Sequence, residues 1–239
     1  WIIPVTPPKS TNAPKSVSLA TLPLTILPTA YLTSASSVRH VIVTSSAKPA
    51  RDSDKSFMWL LLSVKPLIVP VTLFFALAKG DKIDFVIQKA SELGVDKIVL
   101  IKSSRDVTKL NEDDFKKKLP RYHLIAKEAS EQCHRQKIPE ILGIYDIKNI
   151  PSNLLADVNY VAYEKEANQP IDIDLTNKKS VSLLIGSEGG LTIEEVHTLN
   201  AQGFKNLSLG KRILRTETAA IYGLSVIGYL LEKWQFINF

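Results

Sequence analysis

Cysteine is nearly absent from this 239-residue chain. Cys133 stands alone, which excludes an internal disulfide framework and any cysteine-cluster metal site. The four scattered histidines offer no zinc-ligand set, so no metal is expected. A reducing, cytoplasmic setting is the simplest reading. Glycine is missing before Gly80, which argues against tight two-residue hairpins in that segment. A membrane-length apolar run is missing too. Phe57–Ala78 comes nearest, but Lys65, Pro66 and Pro70 interrupt it, so it reads as two buried strands around a proline turn. The first residues lack the basic region and small-residue cleavage site of a signal peptide, and no membrane association is expected.

The charge is lopsided. Residues 1–80 hold eight Lys and Arg against two acids, and the other 159 residues are balanced, so the whole net charge of +6 lies in the first third. Such a bias suits docking on a polyanion such as RNA; a surface tuned for solubility explains it as well. The same third has nine prolines and short β-prone runs, among them Val38–Thr44 and Val69–Ala76. It reads as a small all-β domain spanning residues 1–76.

From residue 77 to 239 helices and strands alternate, which predicts an α/β domain with a mostly parallel sheet. Asp81–Leu93 places Ile83, Val86, Ile87, Ala90 and Leu93 on one helical face, with Gly94 as a C′ stop. Lys97–Ile101 is a short buried strand. Asn111–Arg135 is helical, and Pro120 is expected to split it by starting a second helix. That second helix turns Tyr122, Ala126, Ala129 and Cys133 inward. Cys133 reads as a small core residue rather than a nucleophile, and Glu131–Arg135 on its own reads as a solvated helix end. Val158–Tyr163 is a further strand, and Glu164–Lys179 a polar connector.

Two loops near the C-terminus carry the chemistry. Ser180–Ile185, an apolar strand, runs into Gly186-Ser187-Glu188-Gly189-Gly190, where three glycines allow a ligand to approach the backbone closely. Thr192 and Glu195 form a capping box for the following helix, which Gly203 ends. Strand Lys205–Leu209 then leads to Gly210-Lys211-Arg212-Ile213-Leu214-Arg215-Thr216-Glu217-Thr218, and Thr216 or Thr218 can cap the last helix, Glu217–Trp234. At the same end of a parallel sheet the two loops would enclose one pocket. The glycine spacing matches neither a dinucleotide fingerprint nor a P-loop. Glu188 would repel a phosphate, and a sulfonium-bearing cofactor suits the loop better. The last helix is apolar nearly all round, so it needs cover on two sides, as from the sheet and a second subunit.

These loops resemble the ribosomal RNA small-subunit methyltransferase E family of the SPOUT superfamily. The likeness rests on Leu183–Gly190 and Leu209–Ala219, and on two further segments, Gln88–Val95 and Glu131–Arg135 running on to Ile138-Pro139-Glu140. The family's His-x-x-x-Val-Leu-Arg segment has no counterpart here beyond Arg39-His40-Val41. The resemblance implies a trefoil-knotted SPOUT domain, preceded by a PUA-like β-barrel that binds RNA. It implies a homodimer that uses S-adenosyl-L-methionine to methylate N3 of a uridine in 16S ribosomal RNA of the small subunit. For site residues it implies Arg135, Arg212 and Arg215 as holders of the developing base anion or of RNA phosphate. Glu217 or Glu131 would be the base, or the group orienting an arginine. Leu184, Gly186, Glu188, Gly189, Gly190, Leu207, Leu209, Gly210, Ile213, Leu214, Thr218 and Ala219 would hold the cofactor. Another SPOUT RNA methyltransferase, acting on a ribose 2′-hydroxyl or a different base, is the alternative. A catalytically silent RNA- or ribosome-binding module is a second. An NAD-binding oxidoreductase is a third, although Lys205 and Asn206 stand where its ribose-binding acid would be.

Overall fold

A computed structural model describes residues 67, 69–106, 110–166 and 170–237, all within the unit Ala50–Phe239. The expected β-barrel of residues 1–76 falls almost entirely outside the described residues.

Near-continuous apolar runs make the strands, as buried parallel sheets require. Strands β1 (Val71–Ala76) and β5 (Val181–Ile185) are buried along their full length. Strands β2 (Lys97–Lys102), β3 (Glu140–Asp146), β4 (Val158–Ala162) and β6 (Phe204–Leu207) complete a six-stranded sheet. Its order is β3-β2-β1-β5-β4-β6, and every pair is parallel. The strand expected within Val69–Ala76 therefore exists, but it is the centre of this sheet. It pairs Phe74 with Val99 on one side and with Leu184 on the other, so the sheet domain starts before residue 77.

Side chains alternate across each strand, and the core splits accordingly. Leu73, Phe75, Ile98, Leu100, Leu183 and Ile185 face a layer of helices α1 (Lys82–Glu92), α2 (Glu112–Gln132) and α4 (Thr216–Ile237). Phe74, Ala76, Val99, Ile101, Val161 and Leu184 face α3 (Ile193–Ala201), with Val196, Leu199 and Phe204 closing that side. The result is a three-layer α/β/α sandwich.

Local signals account for most helix ends. Helix α1 buries Ile83, Val86, Ile87 and Ala90 as its spacing requires, and Gly94 follows its C-cap, Leu93, with φ +90°. Thr192 and Glu195 form the expected capping box. Pro120, expected to split a helix, instead lies inside the continuous α2. Both Pro120 and Lys116, whose carbonyl loses its partner, lie on the solvent side, so water can replace the missing bond. Strand β3 escapes a pattern search for a related reason. It is an edge strand in which Ile141 alone is fully buried, and Gly143 is the extra residue of a bulge opposite Val99/Leu100.

Candidate active site

The C-terminal ends of β4, β5 and β6 meet around a cavity of about 560 Å³. Crevices at the carboxyl ends of parallel strands are where open α/β sheets bind ligands, and this volume is within their usual range. The glycine loop forms one wall, contributing Gly186, Ser187, Glu188, Gly189 and Gly190. The loop after β6 forms another wall with Leu209, Gly210, Arg212, Ile213, Leu214 and Arg215, while Thr216 and Ala219 come from α4. The two loops expected to share a pocket do line one cavity, but Glu217, expected to act in it, is not among the lining residues. Leu184 and Leu207 are buried inside their strands and Thr218 faces solvent, and none of the three lines the cavity. Ile213 lines it, yet its side chain is 90% exposed.

Several contributors to the walls, Ala162 and Leu191 among them, escaped the sequence. Lys82, in the first turn of α1, lines the cavity, as do Tyr163 and Glu164, which follow β4. A helix-opening lysine and a Tyr-Glu pair in a polar connector have no local pattern that marks them; only the crossing of strands places them here.

Fixed geometry supports the glycine loop. Arg105, from the loop after β2, donates from Nη1 to the Gly189 carbonyl at 3.2 Å, and its own carbonyl accepts from the Ser187 hydroxyl at 3.2 Å. Glu195, fully buried, accepts from the Thr192 N–H at 2.8 Å and from the Ser104 N–H at 2.7 Å, so the capping carboxylate also ties the start of α3 to the loop after β2. Packing is so close that a Cβ on Gly189 would lie 2.8 Å from the Arg105 Cβ and 2.9 Å from its carbonyl oxygen. Burial pushes the nearby Asp106 carboxyl up, against the opposing bonds from the Ser103 hydroxyl and N–H.

The charges are coupled across elements. Lys82 Nζ lies 3.0 Å from Glu188 Oε1 and 3.4 Å from Glu217 Oε2. Partial burial pushes the Glu188 carboxyl up, but bonds from Lys82 and from the Lys79 N–H (3.2 Å) outweigh it and hold the group below its ordinary value. Glu217 behaves alike: burial is opposed by its own N–H, the Thr216 hydroxyl at 3.1 Å and Lys82, and its carboxyl ends up lowered. Both carboxylates are therefore ionised near neutrality. Because Lys82 offsets part of the Glu188 charge, this carboxylate alone does not decide against a phosphate ligand.

Glu131 and Arg135 do not line the cavity. Arg135 is buried, and its Nη1 donates to the carbonyls of Ser91 (2.7 Å) in the last turn of α1 and of Val95 (2.9 Å) before β2, pinning the end of α2 there. Burial lowers its pKa from the usual guanidinium value. Glu131 is exposed and faces Lys127 at 3.8 Å. Tyr163, Glu164 and Lys82 add to the walls that the two loops make. Among the described residues no cluster of potential metal ligands occurs, and no helix is long and apolar enough to cross a membrane.

A parallel α/β/α sandwich with a glycine loop and an Arg-Thr-Glu loop sharing one cavity matches the RNA methyltransferase domain, whose family model covers residues 65–228. Within that class, the chain belongs to the ribosomal RNA small subunit methyltransferase E family. It is 37% identical over 174 residues to the Bacillus subtilis (strain 168) protein of that name, covering 69% of this chain and 68% of the relative. Among solved structures it resembles one from Legionella pneumophila in complex with the cofactor SAM (32% identity, 68% and 67% of the two chains, TM-score 0.60). It also resembles the ribosomal RNA small subunit methyltransferase E from Neisseria gonorrhoeae bound to S-adenosyl methionine (29% identity, 68% and 66% of the chains, TM-score 0.58).

Proposed function

We propose that this chain uses S-adenosyl-L-methionine to methylate N3 of a uridine in the 16S ribosomal RNA of the small subunit, working as a homodimer. The observation that carries the reading is the union of the glycine loop and the Arg-Thr-Glu loop in one cavity, in a chain whose relatives include cofactor-bound structures. The cavity suits the cofactor on its own chemistry. Gly189 brings backbone to the wall, Leu191, Leu209 and Leu214 supply apolar surface, and Glu188 supplies negative charge for a cation.

S-adenosylmethionine, when bound, supplies an electrophilic methyl group. The residues of the chain have the remaining tasks. Uracil N3 carries a proton at neutral pH, and ionised Glu217 is the group to accept it or to orient an arginine that holds the resulting anion. Arg212 and Arg215, exposed cations on the cavity wall, suit the uracil oxygens or an RNA phosphate through charge-assisted hydrogen bonds. Glu131 and Arg135 stay outside this assignment, because their contacts within the protomer lie elsewhere.

The test is to give the purified chain methyl-labelled cofactor and small subunits from a strain lacking it, then digest the RNA to nucleosides. Label in 3-methyluridine is the expected result. Label in a ribose-methylated nucleoside or another base would replace the N3 assignment. No label, together with no cofactor binding by calorimetry, would leave an RNA-binding module without catalysis.

A further inference from the structure

Lys82, which lines the cavity, touches both Glu188 of the glycine loop and Glu217 in the first turn of α4. It reaches Glu188 at 3.0 Å and Glu217 at 3.4 Å, and the three side chains are 31%, 25% and 17% exposed, so water screens them only in part. Both side-chain contacts to Glu217, from Lys82 and from the Thr216 hydroxyl, fall on Oε2. We propose that Lys82 is a positioning residue for methyl transfer, holding the neighbouring Glu217 carboxylate ionised and oriented at the edge of the cavity. The proposal rests on the functional reading above and adds to it a residue from a third element.

The electrostatics around Glu217 make the role specific. Lys82 faces it from α1, Glu188 faces the same ammonium from the glycine loop, and Thr216 is its own neighbour. With Lys82 and Glu188, the charges on the cavity wall are Arg212 and Arg215 from the preceding loop and Glu164 after β4. Without Lys82, the charges of Glu188 and Glu217 would meet without a cation between them, and like charges raise each other's pKa. The hydrogen bond to Glu188 raises the Lys82 pKa against the opposing effect of burial, and Glu217 adds to the rise, so the ammonium stays charged wherever the carboxylates are. Lys82 also links the start of α1 to the glycine loop and to the first turn of α4, which lets one side chain set their spacing.

The experiment compares wild type, Lys82→Met, Lys82→Arg, Glu188→Gln and Glu217→Gln as full chains. Glu217 is titrated by carboxyl NMR with glutamate labelling, its signal assigned through Glu217→Gln, and methyl transfer is followed across pH. In Lys82→Met the Glu217 midpoint should rise by about one unit or more, the usual effect of losing an adjacent opposite charge. The acid limb of the rate profile should rise with it, and Lys82→Arg should restore both. Glu188→Gln, which leaves Lys82 to Glu217 alone, should lower the midpoint; it also provides a reading if Lys82→Met does not fold. An unchanged Glu217 midpoint, or a rate loss equal at every pH, would overturn the proposal. A wild-type chain that transfers no methyl group would overturn the functional reading instead, and the NMR arm would still report whether Lys82 and Glu217 are coupled.

Discussion

Arg215 and Gly189 both line the cavity, and replacing them should separate chemistry from binding. Arg215→Ala removes an exposed cation without opening a core, so cofactor affinity measured by calorimetry should hardly change. Turnover on small subunits should fall about 100-fold, the typical cost of losing one preorganised donor. Gly189→Ala acts the other way, because its methyl group would press on the Arg105 backbone carbonyl. Relieving such overpacking costs about 1–3 kcal/mol. The loop should shift, and cofactor affinity should fall about tenfold, which corresponds to about 1.4 kcal/mol. At this scale the two loops were legible because glycine, arginine and glutamate crowd into short windows. Lys82 and Glu164 were not, because neither has a neighbour in sequence that reveals its neighbour in space. Arg135 shows the converse. In a conspicuous polar cluster at a helix end, its guanidinium braces the fold, meeting the carbonyls of Ser91 in the last turn of α1 and of Val95 before β2.

Helices α2 and α4 show how far periodicity carries. Helix α4 seats Ala220, Leu224, Ile227 and Leu231 on the sheet, and Ile227 is fully buried there. Ile227→Ala should cost about 2–5 kcal/mol, read as a lower denaturant midpoint. In α2, burial pushes the Tyr122 hydroxyl up to about 12 from 10.0, and the Asp84 charge adds to the rise. A raised folded value means that this group's contribution is fully present below pH 10 and is lost as pH climbs through about 12. Tyr122→Phe should therefore lose less stability than wild type between pH 8 and pH 11 in parallel denaturant titrations. The continuous α2 corrects the expected break at Pro120, for propensity marks the missing hydrogen bond but not whether water can replace it.

Among the described residues, nothing covers an apolar surface of α4. Tyr222 and Tyr229 project from the side opposite the sheet, Tyr229 with 64% of its surface exposed. A second copy of the chain is the cover proposed above for this face. Sedimentation should then find the wild type as a dimer, and Tyr229→Glu, which places a charge in the contact, should shift it toward monomer. A wild type that sediments as a monomer would refute the dimer and remove any active-site role for a partner subunit.

Local chemistry by itself determined the alternation of helices and strands, the caps at Thr192 and Gly94, the parallel sheet and the two loops of the site. Each of these depends on contacts within a few residues or on a repeating period. The tertiary structure alone decided that Val71–Ala76 is the central strand, that α2 runs unbroken past Pro120, and that Lys82 stands between Glu188 and Glu217. Those outcomes depend on which surfaces far apart in the chain are buried against each other, and no short window of sequence records that.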